Sequence, residues 1–176
     1  LHQQIDSTNA EAQRSLVPGA PRPLIVLAEQ QTAGRGRRGR PWSSPYAQNI
    51  YLSIVEPVSG GAHGLEGLSL LVGLCLVQAL EDLGYRGSQL KWPNDVLLVG
   101  GTAPGKVAGI LAELVAGGTA GGGGLIPAGS GGLPDETSGG ASVAIVVGMG
   151  VNVGWPALSD DAPPGATSLA AAGHMI

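Results

Sequence analysis

The stretch KWPNDVLLVGGTAPGKVAGILAELV, Lys91 to Val115, decides the fold class. DVLLV (95–99) and KVAGILAELV (106–115) are apolar runs with Gly100-Gly101 as a turn between them, which predicts an antiparallel hairpin. Upstream, QLKW (89–92) predicts a short strand, and Pro93 forces a non-helical bend ahead of the hairpin. Outward from there, LIVLA (24–28), NIYLSIV (49–55) and SVAIVVGMGVNV (142–153) are apolar and rich in β-branched residues, and each predicts a strand.

Helices are predicted at both ends and between the two strand groups. Residues 6–17 carry Thr8 and Glu11 at capping-box spacing, and Pro18-Gly19 ends the segment. In 65–83, Leu65, Leu68, Val72, Cys75, Ala79 and Leu83 recur at three- and four-residue steps. They predict a buried stripe that includes Cys75, with Gly84 as the stop. A short helix is predicted within 166–173, opening at Thr167 or Ser168. Strands come in pairs without a helix between each, so the expected class is α+β: a mixed, largely antiparallel sheet flanked by helices, not a doubly wound fold.

Composition excludes several classes. The chain has 176 residues with 31 Gly and 13 Pro, and residues 117–140 alone hold 11 Gly, which predicts a single domain with a flexible insert there. No apolar run reaches the ~18–20 residues of a bilayer span, and the start does not resemble a signal peptide, so the cytoplasm is the expected compartment. One cysteine rules out an internal disulfide or a Cys-based zinc site, and His2, His63 and His174 lack ligand spacing. Neither a P-loop nor a serine nucleophile elbow is present.

Positive charge is scarce and concentrated. Of nine Lys and Arg residues, Arg35, Arg37, Arg38 and Arg40 fall within six positions, in a chain of net charge −4. In GRGRRGR (34–40), Gly34, Gly36 and Gly39 free the backbone to turn its N–H groups on an anion, and the arginines add forked donors suited to phosphate or carboxylate. The plainer alternative is a solvated basic loop or a nucleic-acid patch. KWPND (91–95) presents a cation, an indole and an amide–carboxylate pair at a bend, where Asp95 could hold a metal or accept a hydrogen bond; taken alone, ordinary turn chemistry is the favoured explanation. Lys106 opens an apolar strand and could neutralise charge on a phosphate, or it could be a snorkelling strand-end lysine. GMGVNV (148–153) adds two glycines able to pack closely, and Asp6-Ser7-Thr8-Asn9 is either a capping cluster or a polar site.

Taken together and in order, DSTN (6–9), AEQQTAGRGRRGRPW (28–42), NIYLSI (49–54), KWPNDVLL (91–98), GKVAGILAE (105–113) and GMGVNV (148–153) resemble the catalytic domain of biotin–protein ligases. The resemblance covers nearly all of 5–154 outside the Gly-rich run. It implies the fold of class II aminoacyl-tRNA synthetases and biotin–lipoate ligases. It also implies an AMP-forming enzyme that makes biotinyl-5′-AMP from biotin and ATP, with Mg2+ as companion ion, and passes biotin to a lysine of a biotin carboxyl carrier domain such as that of acetyl-CoA carboxylase. No tightly bound prosthetic group is implied.

Carried across residue by residue, the resemblance makes Lys106, Arg35 and Arg37 the catalytic group. Ser7, Thr8, Asn9, Gln31, Gly34, Gly109 and Leu111 join them in holding biotin, and Gly36, Arg38, Gly39, Arg40, Trp42, Asn94, Asp95 and Asn152 hold ATP or the adenylate. Asp95 stands nearest the magnesium, and Trp42 covers the adenine side. The chain is expected to carry neither an N-terminal DNA-binding segment nor a C-terminal β-domain and to end within the catalytic domain. DNA and membrane partners are therefore not expected, while a homodimer is left open. The rivals are a lipoate- or octanoate-transferring relative and a non-catalytic biotin or adenylate sensor.

Overall fold

The computed structural model describes residues 1–17, 23–58, 65, 67–99, 104–116, 143–154 and 163–172. The Gly-rich run 117–140 and the Gly100-Gly101 turn lie outside the described residues. Six strands form one sheet: β1 (Leu24–Ala28), β2 (Ile50–Val58), β3 (Ser88–Lys91), β4 (Asp95–Leu98), β5 (Gly105–Ala116) and β6 (Val143–Val151). Their order across the sheet is β1-β2-β6-β5-β4-β3. All five ladders are antiparallel. The expected α+β class with a largely antiparallel sheet is borne out, and parallel pairing among the described residues is confined to the isolated bridges His2↔Ala28, Ile5↔Gln31 and Lys106↔Ala166. The predicted hairpin is the β4–β5 pair.

Among the described residues three α-helices accompany the sheet, α1 (Thr8–Arg14), α2 (Leu68–Asp82) and α3 (Leu169–Ala172), with a 3-10 turn at Arg37–Gly39. The ends of α2 and α3 follow the sequence signals. Gly84 takes φ +90° just past α2, and Gly84 N–H and Tyr85 N–H return to the carbonyls of Glu81 and Leu80, which satisfies two end carbonyls. At α3, Ser168 Oγ accepts from Ala171 N–H at 3.2 Å. The α1 capping box does not form. Ser7, not Thr8, is the N-cap, and no side chain caps the helix, because Thr8 Oγ1 is turned to Gln31 instead.

Helix α2 also corrects the predicted stripe. Gly73 and Leu80 are buried, and Val72, Leu76 and Val77 pack on the core, whereas Cys75 and Leu83 are exposed. Apolar residues occur on every side of this helix, so periodicity alone could not choose its inner face. Gly73 is where the helix comes closest to the sheet, since a Cβ there would lie 2.5 Å from Leu90 Cδ2. One apolar cluster joins Leu80 to Val96, Leu98, Val107, Ile110 and Val151. A second joins Ala12 of α1 to Val26, Val55, Val115 and Val146.

The observed facing of α2 predicts unequal costs along one helix. Leu80→Ala should destabilise by about 2–4 kcal/mol, as expected for a large core truncation. Leu74→Ala, at a 56% exposed position, should stay within about 0.5 kcal/mol. Urea denaturation of both variants measures this, and equal losses would mean the helix is turned the other way.

Candidate functional site

The site is built on one irregularity in strand β5. Asp95 pairs with Gly109 and Val96 with Ala108, but Leu97 then pairs with Lys106, leaving Val107 as an extra residue. Side chains alternate along a regular strand, so residues 106 and 109 would face opposite ways. The bulge brings Lys106 onto the face that carries Gly109 and Asp95. Lys106 Nζ meets Asp95 Oδ1 at 2.6 Å and stands 5.0 Å from the Trp42 ring centroid. On the backbone, Lys106 N–H donates to Gly165 O and its carbonyl accepts from Thr167 N–H, which fixes the strand end.

Glycines form the floor beside it. Gly109 pairs with Gly150, and Leu111 with Gly148, across the β5–β6 ladder. The Trp42 indole lies on this floor: a Cβ on Gly150 would be 2.6 Å from the indole, and one on Gly109 would be 3.1 Å from it. A Cβ on Gly148 would collide with Asn9 Oδ1. The indole N–H is buried and has no hydrogen-bond partner among the described residues.

Two cavities share Trp42 in their linings. The smaller is lined by Ser7, Thr8, Asn9, Gln31, Arg35, Gly109, Leu111, Gly148 and Gly150, among others. The larger is lined by Arg37, Arg38, Arg40, Lys91 and Lys106, with Asp95 as its one carboxylate among the described residues, and by Trp92, Asn152 and Pro163 to Pro164. Gly36, Trp42, Asn94 and Lys106 line both. The predicted residues are thus brought together, except that Gly34 and Gly39 line neither cavity. Gly34 instead lies under the loop, where a Cβ would be 2.6 Å from Trp42 O. Arg38 and Gly39 take φ of +57° and +70° in the turn at the loop's tip.

The small cavity's polar wall is a connected set. Gln31 Oε1 accepts from Thr8 N–H at 2.8 Å and lies 3.1 Å from Thr8 Oγ1, and Gln31 Nε2 donates to Ser44 Oγ at 3.0 Å. Ser44 Oγ in turn reaches Trp42 O at 3.2 Å. Ser53 is fully buried, with Oγ 2.6 Å from Asn9 Oδ1 and 2.8 Å from Thr8 Oγ1. Asn9 Nδ2 donates to Glu113 Oε2 at 2.7 Å. Sequence reasoning missed Ser44, Ser53 and Glu113 as site residues. A lone polar side chain in an apolar strand was the available signal for the last two.

In the larger cavity, Asn94 Nδ2 donates to Ile110 O at 2.9 Å, which leaves Oδ1 toward Arg37 Nη1 at 3.5 Å. Asn152 Nδ2 donates to Thr167 O at 3.0 Å and so ties the end of β6 to the segment beside Lys106. At the entry to α1, Arg14 grips Asp6 at 2.7 and 2.9 Å, and Asp6 also accepts from Ser7 N–H. The hydrogen bonds from Arg14, foremost, hold the Asp6 carboxyl well below the usual range, at about 2.

The Biotin/lipoate A/B protein ligase family model matches residues 1–126. The Biotin--[acetyl-CoA-carboxylase] ligase of Paracoccus denitrificans is 42% identical over 164 residues, covering 92% of this chain and 57% of that protein. The Bifunctional ligase/repressor BirA of Escherichia coli K12 is 46% identical over 88 residues, half of this chain and 26% of the relative. The chain therefore spans between about a quarter and three-fifths of these relatives' lengths. Among solved structures, the biotin protein ligase of Aquifex aeolicus in complex with biotin and ATP aligns with a TM-score of 0.63 and 26% identity, over 96% of this chain and 58% of that one. The biotin protein ligase of Leishmania major in complex with biotin has a TM-score of 0.66 over 97% of this chain and 61% of that one; at 24% identity it speaks to the fold.

Two outcomes follow from this geometry. Gly150→Ala should lift the indole off the floor and destabilise by about 1–3 kcal/mol, with a red shift in emission that is absent when Trp42→Phe is also present. The Asp6 carboxyl is depressed in the folded state relative to its ordinary 3.8. Its stabilisation is therefore fully present above about pH 4 and is lost as pH falls toward 2. Asp6→Asn should flatten that part of a thermal-melt pH profile.

Proposed function

The chain belongs to the biotin/lipoate A/B protein ligase family, and we propose that it activates biotin with ATP and transfers the biotinyl group to a lysine of a biotin carboxyl carrier domain. The observation that carries this reading is Lys106. It lines both cavities, the smaller mostly neutral and polar and the larger strongly cationic.

The small cavity presents neutral hydrogen-bonding groups and two cations, Arg35 and Lys106, with no lining carboxylate among the described residues. That suits a ligand with a polar uncharged head and an acidic end. The larger cavity sets five cations against one carboxylate, which suits a polyphosphate. In the first step a carboxylate oxygen of biotin attacks the α-phosphorus of ATP, and the bond from that phosphorus to the α,β-bridging oxygen breaks with its electrons leaving on pyrophosphate. Lys106 and Arg37 offset the charge that builds on the α-phosphate oxygens, and Arg35 aligns the carboxylate. Lys106 is released from Asp95 as the phosphate takes that carboxylate's place.

In the second step the carrier lysine amine attacks the acyl carbon. The acyl C–O bond breaks, AMP leaves with the electron pair, and the amine gives up a proton. Trp42 lines both cavities, and in this reading it shields the acyl end and limits hydrolysis of the mixed anhydride. The donor set also bears on magnesium. The described residues contain no cluster of three or more His, Cys, Asp or Glu, so Asp95 is the one acidic partner the cavity offers. That fits an ion carried on the nucleotide phosphates with most of its waters, which would help neutralise the leaving pyrophosphate. No helix among the described residues is long and apolar enough to cross a membrane.

The test is to incubate the protein with biotin, MgATP and an apo carrier domain and follow the carrier's mass. A gain of one biotinyl group is expected; no gain, or a lipoyl gain when both acids are supplied, overturns the reading. Lys106→Ala should slow adenylate formation by about 10²–10³-fold, as for loss of one preorganised charge-stabilising donor.

A further inference from the structure

Resting on the biotin-activating reading above, we infer that Glu113 is the positioning residue of the small cavity, setting the Asn9 amide and holding the Arg35 guanidinium at the cavity mouth. Glu113 lies on β5 two and four positions beyond Leu111 and Gly109, so it shares their face of the sheet. It does not line the cavity itself but stands behind the residues that do.

Three side chains converge on one oxygen. Glu113 Oε2 accepts from Asn9 Nδ2 at 2.7 Å and from Gln13 Nε2 at 3.2 Å, and Arg35 Nη2 is 3.8 Å away. An ionised carboxylate can only accept hydrogen bonds. Glu113, at 2.7 Å and with the Leu111 carbonyl as a longer second acceptor at 3.4 Å, therefore holds the nitrogen end of Asn9 toward β5 and its oxygen toward Ser53 and Gly148. Ser53 Oγ, at 2.6 Å, completes the lock. An amide in place of Glu113 could present either end and would leave only the longer Leu111 contact to hold the Asn9 nitrogen.

The charge has a second use. Arg35 is 41% exposed on its loop while Glu113 is 13% exposed on the rigid strand, and this is the one ion pair of Arg35 among the described residues. The 3.8 Å separation is too long for a hydrogen bond, so Glu113 biases where Arg35 sits without occupying its donors. The donors stay available to an incoming carboxylate, and the arginine is already placed when that ligand arrives.

Glu113→Gln and Glu113→Asp, in the intact chain, test this with one readout that needs no ligand. At low salt, trypsin should cut after Arg35 about threefold faster in Glu113→Gln than in the unmodified protein, the scale of a partly exposed ion pair. The difference should close near 1 M salt, where charges are screened beyond about 3 Å. Glu113→Asp should restore much of the protection. In the carrier assay, Glu113→Gln should raise KM for biotin by about fivefold with kcat within about twofold, the pattern of lost ground-state positioning. Equal cleavage rates in unmodified protein and Glu113→Gln at low salt, or a fall in kcat at unchanged KM, overturn the role of Glu113. If the unmodified protein does not bind biotin, the functional reading fails on its own account, and the ligand-free cleavage comparison still decides what Glu113 does to Arg35.

Discussion

A lysine and a glycine three residues apart on one strand can face the same way only if the strand breaks its own alternation. The extra residue at Val107 does this in β5, and most of the site depends on it. Without the bulge Lys106 would be directed into the apolar layer under α2, where Val96, Leu98 and Ile110 are buried. An unpaired ammonium there would cost several kcal/mol. With the bulge, Val107 and Ala108 both enter the core at no exposure, and the lysine keeps Asp95 as its counter-ion. The core gains an apolar residue from the same defect that gives the site its cation.

The floor glycines work under the same constraint. An antiparallel ladder places directly paired residues side by side on one face, so Gly109 and Gly150 leave a shared depression, and Gly148 deepens the neighbouring position. The Trp42 ring and the Asn9 amide fill those hollows. Alanine at any of the three would push the loop or α1 away from the sheet. The wall residues are also more committed than their polarity implies. Both ends of Gln31 and both ends of Asn9 are held by protein groups, so they act first as a frame.

Much of this was legible before the structure. The strands 24–28, 95–99 and 142–153 announced themselves by β-branched apolar runs, and Gly84 marked the end of α2 through its left-handed backbone. The basic loop, KWPND and the lysine strand could be listed as site pieces, and the resemblance put them in one place. Non-local facts were hidden. Nothing local says that β2 lies beside β6, 85 or more residues away in the chain. The inner face of α2 was misassigned because leucines surround that helix, leaving Cys75 in solvent. Thr8 has the spacing of a cap, yet its hydroxyl is taken by Gln31 from a distant loop. Glu113 carries only its polarity as a local signal, since its partners come from α1 and the loop at Arg35.

Trp42 shows why frame and loop have to be argued together. A buried indole N–H without an acceptor costs about 1–3 kcal/mol. The ring stays where it is because the glycine floor accepts its flat face and Lys106 lies over it, an attraction that strengthens as water is removed. Both supports come from β5 and β6, and the loop itself adds only the Trp42 N–H to Gly34 O and Ser44 Oγ to Trp42 O hydrogen bonds. The orphaned donor therefore lowers the cost of moving the ring or of offering it an oxygen acceptor. Trp42 thus rests on a rigid floor, carries one unsatisfied donor and lines both cavities at once.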